Sequence, residues 1–125
     1  MQMPPHSMAT LPTEFLDFEI GKSLKGRICF DEKFANPLSM FQGGFLAGAI
    51  DNVLGPLTYF VAQKAVVTLD MSISYLRPFT AKDEYIDILG EVVMKSKNVL
   101  FLKAEVRNKD GKLLATSSQH AIIRE

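Results

Sequence analysis

From Val67 to Arg77 apolar and polar residues take turns: Val67, Leu69, Met71, Ile73 and Tyr75 against Thr68, Asp70, Ser72 and Ser74. A period of two predicts a half-buried strand with the apolar set facing the core. Tyr85–Met94, Val99–Arg107 and Leu113–Ile123 predict three further strands. Lys95–Asn98 and Asn108–Gly111 separate them, and Asp110-Gly111 is a strong hairpin signal. Short links between consecutive strands predict an antiparallel meander.

The pattern upstream is different. Between Lys33 and Lys64 the only charged side chain is Asp51, and Phe45–Val61 is apolar on nearly every side. Such a run predicts a buried helix. Its length of about 17 residues approaches that of a membrane span, but Asp51, Asn52, Gly55 and Pro56 within it argue against one. Pro56 lacks an amide hydrogen, which predicts a kink or restart near Gly55. Lys22–Asp31 has modest strand character, Pro12-Thr13-Glu14 before Phe15 and Leu16 suggests one helical turn, and Phe34–Gly44 reads as a loop. Residues 1–12 hold three of the six prolines and read as a flexible lead-in to one domain over 13–125. The order is strand, long apolar helix, then four antiparallel strands: an α+β fold in which a curved sheet wraps one helix. A sheet of this kind leaves an edge, so a second subunit is expected.

Composition narrows the class. The chain has 125 residues, 47% hydrophobic and 22% charged, as expected of one globular domain. Fourteen basic residues balance fourteen acidic ones, which removes the electrostatic case for nucleic acid or an anionic membrane surface. One cysteine, Cys29, forms no internal disulfide, and with His6 and His120 far apart it makes a protein-built metal site unexpected. No signal peptide is visible, so a cytoplasmic location is expected.

Asp51 is the first candidate for chemistry. A carboxylate alone on an apolar helix should have a raised pKa, which suits a general base, unless it merely holds a loop amide or an arginine. Gly44, Gly48, Asp51 and Gly55 fall on one helix face, leaving room for a backbone or thin ligand beside the carboxylate. Gln42-Gly43-Gly44 enters the helix and offers free amides at its positive end, where an oxyanion can be held. Gly43 and Asp51 are eight residues apart, about 12 Å along a helix, whereas a catalytic group must come within about 3 Å of its target. Two antiparallel helices across a twofold axis would bring Gly43 of one chain to Asp51 of the other. Asn36 can orient a water or shape a turn. Thr68 lies on the polar face of its strand, while Cys29 and His120 read as structural.

These residues, in this order, resemble a known family. Asn36-Pro37-Leu38-Ser39-Met40-Phe41-Gln42-Gly43-Gly44, then Asp51, then Val67–Pro78 with its arginine-proline corner, and Asp110–Ala115 are similar to the hotdog-fold acyl-CoA thioesterases. The phenylacetate-pathway (PaaI-like) and 4-hydroxybenzoyl-CoA thioesterase group is the nearest likeness. The resemblance implies an antiparallel sheet around one long central helix, assembled as a homodimer at least and as a homotetramer. It implies Asp51 as base or nucleophile, Gly43 polarising the thioester carbonyl through its amide, Asn36 placing the hydrolytic water and Thr68 assisting. The family commonly has histidine where Gln42 stands; glutamine donates a hydrogen bond but does not change charge near neutral pH.

The expected activity is hydrolysis of an aryl or medium-chain acyl-CoA to free acid and CoA, with no metal and no cofactor beyond the CoA of the substrate. Gly44, Phe41, Phe45, Tyr59 and Arg77 are the expected substrate contacts. The alternative is a non-catalytic acyl-CoA binding or sensing protein. A hydroxyacyl-thioester dehydratase is a third reading, opposed by the lack of a histidine near the helix start.

Overall fold

The computed structural model describes residues 11–64 and 66–124. The lead-in expected over 1–12 lies outside the described residues as far as residue 10. Helix α1 (Gly43–Ala62) crosses one face of an antiparallel sheet formed by β1 (Glu14–Glu19), β2 (Ser23–Cys29), β3 (Val66–Tyr75), β4 (Tyr85–Lys95), β5 (Val99–Asn108) and β6 (Leu113–Ile123). The spatial order is β1-β2-β4-β5-β6-β3. The expected α+β architecture, a sheet around one long helix, is present.

The helix packs on the sheet through Leu46, Ile50, Val53 and Leu57, each less than 5% exposed. Two sheet glycines permit the close approach. A β-carbon on Gly26 would lie 2.7 Å from Val53 Cγ2, and one on Gly90 would lie 2.6 Å from Leu54 Cδ2. Half of α1, ten of its twenty residues, is buried within the fold, which accounts for its apolar length without a membrane.

Four expectations are corrected. Residues 14–16 begin strand β1 and not a helical turn, because Gly21, at φ +75°, reverses the chain and pairs β1 with β2. A bulge between Phe15 and Asp17 breaks the alternation, so the strand left no period of two in the sequence. Strand β3 does not open a meander with β4; it pairs with β6, since residues 76–84 are long enough to carry the chain across the sheet. Helix α1 is not restarted at Pro56. It continues to Ala62, with the Thr58 hydroxyl donating to the Gly55 carbonyl at 2.6 Å and buried Val53, Leu54 and Leu57 holding both sides. Finally, α1 is not buried all round: Gly44, Gly48 and Asp51 lie exposed. The hairpin at Asp110-Gly111 is as expected, with Gly111 at φ +82° and Asn108 Oδ1 accepting from the Asp110 and Lys112 amides.

Candidate active site

The first turn of α1 has no side-chain cap and no acidic residue. Gln42 precedes it in an extended conformation, its amide donating to the Phe34 carbonyl at 2.8 Å, with its side chain exposed. Among the described residues nothing accepts from the Gly43 and Gly44 amides. They therefore stand as free donors at the positive end of a twenty-residue helix.

A cavity of about 280 Å³ opens beside this turn, and Asn36, Phe41, Gly43, Tyr75 and Arg77 are among its lining. The loop that carries Asn36 is held by its own side chain. Asn36 Oδ1 accepts from the Leu38 amide at 2.9 Å and the Met40 amide at 3.1 Å. The turn-shaping reading of Asn36 is thus observed, and its side-chain NH2 has no acceptor among the described residues. Arg77 Nη1 donates to the Leu113 carbonyl at 3.3 Å from an exposed position at the rim. Phe41 is buried among Phe30, Phe34 and Phe79, so it forms the cavity floor as part of the core.

Asp51 is not beside Gly43. One unbroken helix separates them by eight residues, about 12 Å of axial rise. Its carboxylate lies on the open face, and partial desolvation by surrounding protein raises its pKa above the ordinary aspartate value. Among the described residues no hydrogen-bond or ion-pair partner holds it, so the structural role weighed for it, holding an amide or an arginine, is not observed. Phe45 packs on Phe34 and Tyr59 on Phe60, both partly exposed. Tyr59 lies fourteen residues from Phe45 on α1, about 21 Å, and so shares no wall with it in one subunit, whereas Phe45 and Phe41 both pack on Phe34.

Thr68 is the residue whose placement differs most from expectation. A bulge between Thr68 and Asp70 inserts Leu69 as an extra residue, so Thr68 pairs with buried Ala121 and Met71 with buried Gln119. Thr68 therefore faces the helix side with Met71, Ile73 and Tyr75, while Asp70 faces outward and meets His120 Nδ1 at 2.6 Å. Thr68 Oγ1 accepts from Gln119 Nε2 at 3.2 Å, which leaves its own hydroxyl hydrogen to donate elsewhere. Gln119 is 1% exposed, and its Oε1, like the buried Ser117 Oγ, has no partner among the described residues. Gln119 and Tyr75 were missed by sequence reasoning. The signal for Gln119 was an uncharged polar residue on the core-facing phase of β6. His120, on the outer face, is not a partner for Asp51.

Residues 39–115 match the thioesterase superfamily. The chain belongs to that superfamily and is a hotdog-fold thioester hydrolase. A Saccharolobus solfataricus protein provisionally named an esterase is 30% identical over 106 residues, covering 80% of this chain and 74% of its own. A Ralstonia eutropha protein, provisionally described as a thioesterase related to phenylacetic acid degradation, superposes with a TM-score of 0.87 at 25% identity, over 98% of this chain and 92% of its own. The Escherichia coli PaaI protein superposes with a TM-score of 0.89 at 15% identity, over 98% and 86%. A Streptococcus mutans protein bound to acetyl-CoA gives 0.82 at 19% identity, over 90% and 88%. The general reaction that follows is hydrolysis of a CoA thioester.

Proposed function

We propose that the chain hydrolyses an acyl-CoA carrying an aryl or medium-chain acyl group, in the cytoplasm and without metal, at sites shared between the subunits of a homodimer that pairs again into a tetramer. The observation that carries this reading is the separation on α1. The free amides of the first turn and the unpartnered Asp51 lie about 12 Å apart on one rigid element. They meet at one carbonyl only if a second, antiparallel α1 supplies the other group. Strand β3 supports such an arrangement, because it is a ten-residue edge of the sheet whose last residue meets the first turn, and among the described residues no strand pairs with its outer side.

In this reading the thioester oxygen sits at the Gly43 and Gly44 amides, which stabilise the developing oxyanion. Asp51 of the second subunit takes a proton from the attacking water, or attacks the carbonyl itself. In the first route the carbon–sulfur bond then breaks, and CoA leaves as thiolate and takes the proton held on the carboxyl; in the second the thiolate leaves behind an acyl–Asp51 anhydride, which water hydrolyses to the free acid and Asp51, its released proton going to the thiolate. Asn36 Nδ2 orients the water, Thr68 assists with its free hydroxyl hydrogen, Gln42 hydrogen-bonds the substrate, and Arg77 attracts a CoA phosphate. The acetyl-CoA bound to the Streptococcus mutans protein is consistent with a CoA ligand here.

Complementation tests the shared site. Gly43→Pro removes one amide at the first helical position, where the backbone admits proline after an extended residue and the exposed Tyr75 ring must shift by a few tenths of an ångström to clear the new β-carbon. Asp51→Asn removes the base. Each variant alone should release little thiol from phenylacetyl-, benzoyl-, hexanoyl- or dodecanoyl-CoA. Co-expressed, half the dimers are mixed and carry one intact site, so activity should return to about a quarter of wild type. No recovery, with mixed dimers present, would show that each site lies within one subunit.

A further inference from the structure

We infer that Tyr75 is a positioning residue for thioester hydrolysis, its hydroxyl fixing the peptide plane that aims the Gly44 amide. The inference rests on the reading above that first-turn amides hold the thioester oxygen.

The Tyr75 hydroxyl donates to the Gly43 carbonyl at 2.8 Å, bridging the last residue of β3 and the first of α1. A peptide unit is planar, so holding the carbonyl of Gly43 also fixes the direction of the N–H of Gly44. A bond to the carbonyl oxygen further polarises that N–H. Beyond the helix's own ladder, which opens with the Leu46 amide donating to the Gln42 carbonyl at 3.0 Å, the turn has few restraints: two consecutive glycines, no side-chain cap, and Gly43 and Gly44 amides with no acceptor among the described residues. Glycine at this place costs backbone order, and Tyr75 restores it from outside the helix.

The ring is fitted to the same residue. A β-carbon on Gly43 would stand 3.2 Å from Tyr75 Cζ and Oη, closer than side chains ordinarily approach. Gly43 and Tyr75 are therefore a matched pair, and the absence of a side chain at 43 makes room for the tyrosine as much as for a ligand. Tyr75 is itself 53% exposed. Its hydroxyl would be satisfied by water without this bond, so the bond adds little to stability and acts mainly on direction.

Tyr75→Phe keeps the ring and deletes the donor. On the best acyl-CoA substrate kcat should fall about tenfold, less than the hundredfold or more for deleting an oxyanion donor outright. KM should stay within about twofold and the thermal midpoint should not move. In 15N-labelled protein the Gly44 amide resonance should shift, which loss of packing alone would not produce. In a Tyr75→Ala background, adding Gly43→Ala should no longer lower the thermal midpoint. Wild-type kcat in Tyr75→Phe, while Asp51→Asn is inactive, would overturn the role of Tyr75 and leave the parent reading intact. A raised KM at unchanged kcat would also overturn it, by making Tyr75 a substrate contact. Absence of thiol release from wild type itself would remove the parent reading.

Discussion

Helix α1 has two faces built on opposite principles. Leu46, Ile50, Val53 and Leu57 are sealed against the sheet, and two glycines on β2 and β4 let the helix settle deep enough to seal them. A half-turn away, Gly44, Gly48, Asp51 and Gly55 leave the surface bare: a β-carbon on Gly44 or Gly55 would meet nothing within 4 Å. The first face holds the fold together by close packing. The second contributes nothing to the isolated fold and carries the one charged residue of the helix, as expected where substrate or a second copy must approach.

Substitutions can separate the two faces. The largest effect falls on turnover. Asp51→Asn should lower thiol release about a thousandfold, within the range for losing a general base, while far-ultraviolet circular dichroism and oligomeric state stay as in wild type. The opposite face should respond in stability. Ile50→Ala, at a fully buried position, should cost about 3 kcal/mol by urea denaturation, with kcat nearly unchanged in the folded fraction.

The pH response follows from the raised pKa of Asp51, whose cause is desolvation. As a base it works ionised, so kcat/KM should rise with pH and level off only above the ordinary aspartate value of about 3.9. Stability runs the other way. A raised pKa means that the folded chain binds this proton more tightly than the unfolded chain, so ionisation costs stability above the folded pKa, and the cost fades on acidification until it is gone below the unfolded value. Asp51→Asn should therefore be no less stable than wild type at pH 7, and the gap should close on acidification, as thermal midpoints across pH 4–8 will show. The smallest effect is on the bare face. Gly55→Ala should stabilise the subunit by about 0.5–1 kcal/mol on helix propensity alone, but should weaken self-association, seen by sedimentation, if another copy packs there.

The sealed face was legible in the sequence because burial repeats with the helix. Asp51 and Gly43 were legible because a lone charge in an apolar run and a glycine pair at its start are departures from that repeat. Strand β1 was not, since a bulge at Leu16 and three apolar residues in four positions leave no period. The partner of β3 was not either, because alternation describes one strand and says nothing of its neighbour. Tyr75 could not be assigned: its alternation marks it as a strand residue, whereas its hydroxyl bond reaches a residue 32 positions away. Gln119 was hidden in a strand that reads well without it.

The extra residue in β3 works like a shift of reading frame carried out in space. Up to Thr68 the strand is read in one phase and from Asp70 in the other, with Leu69 as the inserted letter. Removing Leu69 would restore strict alternation from Val66 to Tyr75 and leave every other residue on the face it holds now, Thr68 opposite Ala121 and Asp70 opposite His120. No point substitution has the same effect. The inserted letter is therefore what lets Thr68 share the helix side with Met71, Ile73 and Tyr75 despite the odd spacing between them, and a single-codon deletion there would straighten the strand without changing what lies beneath the helix.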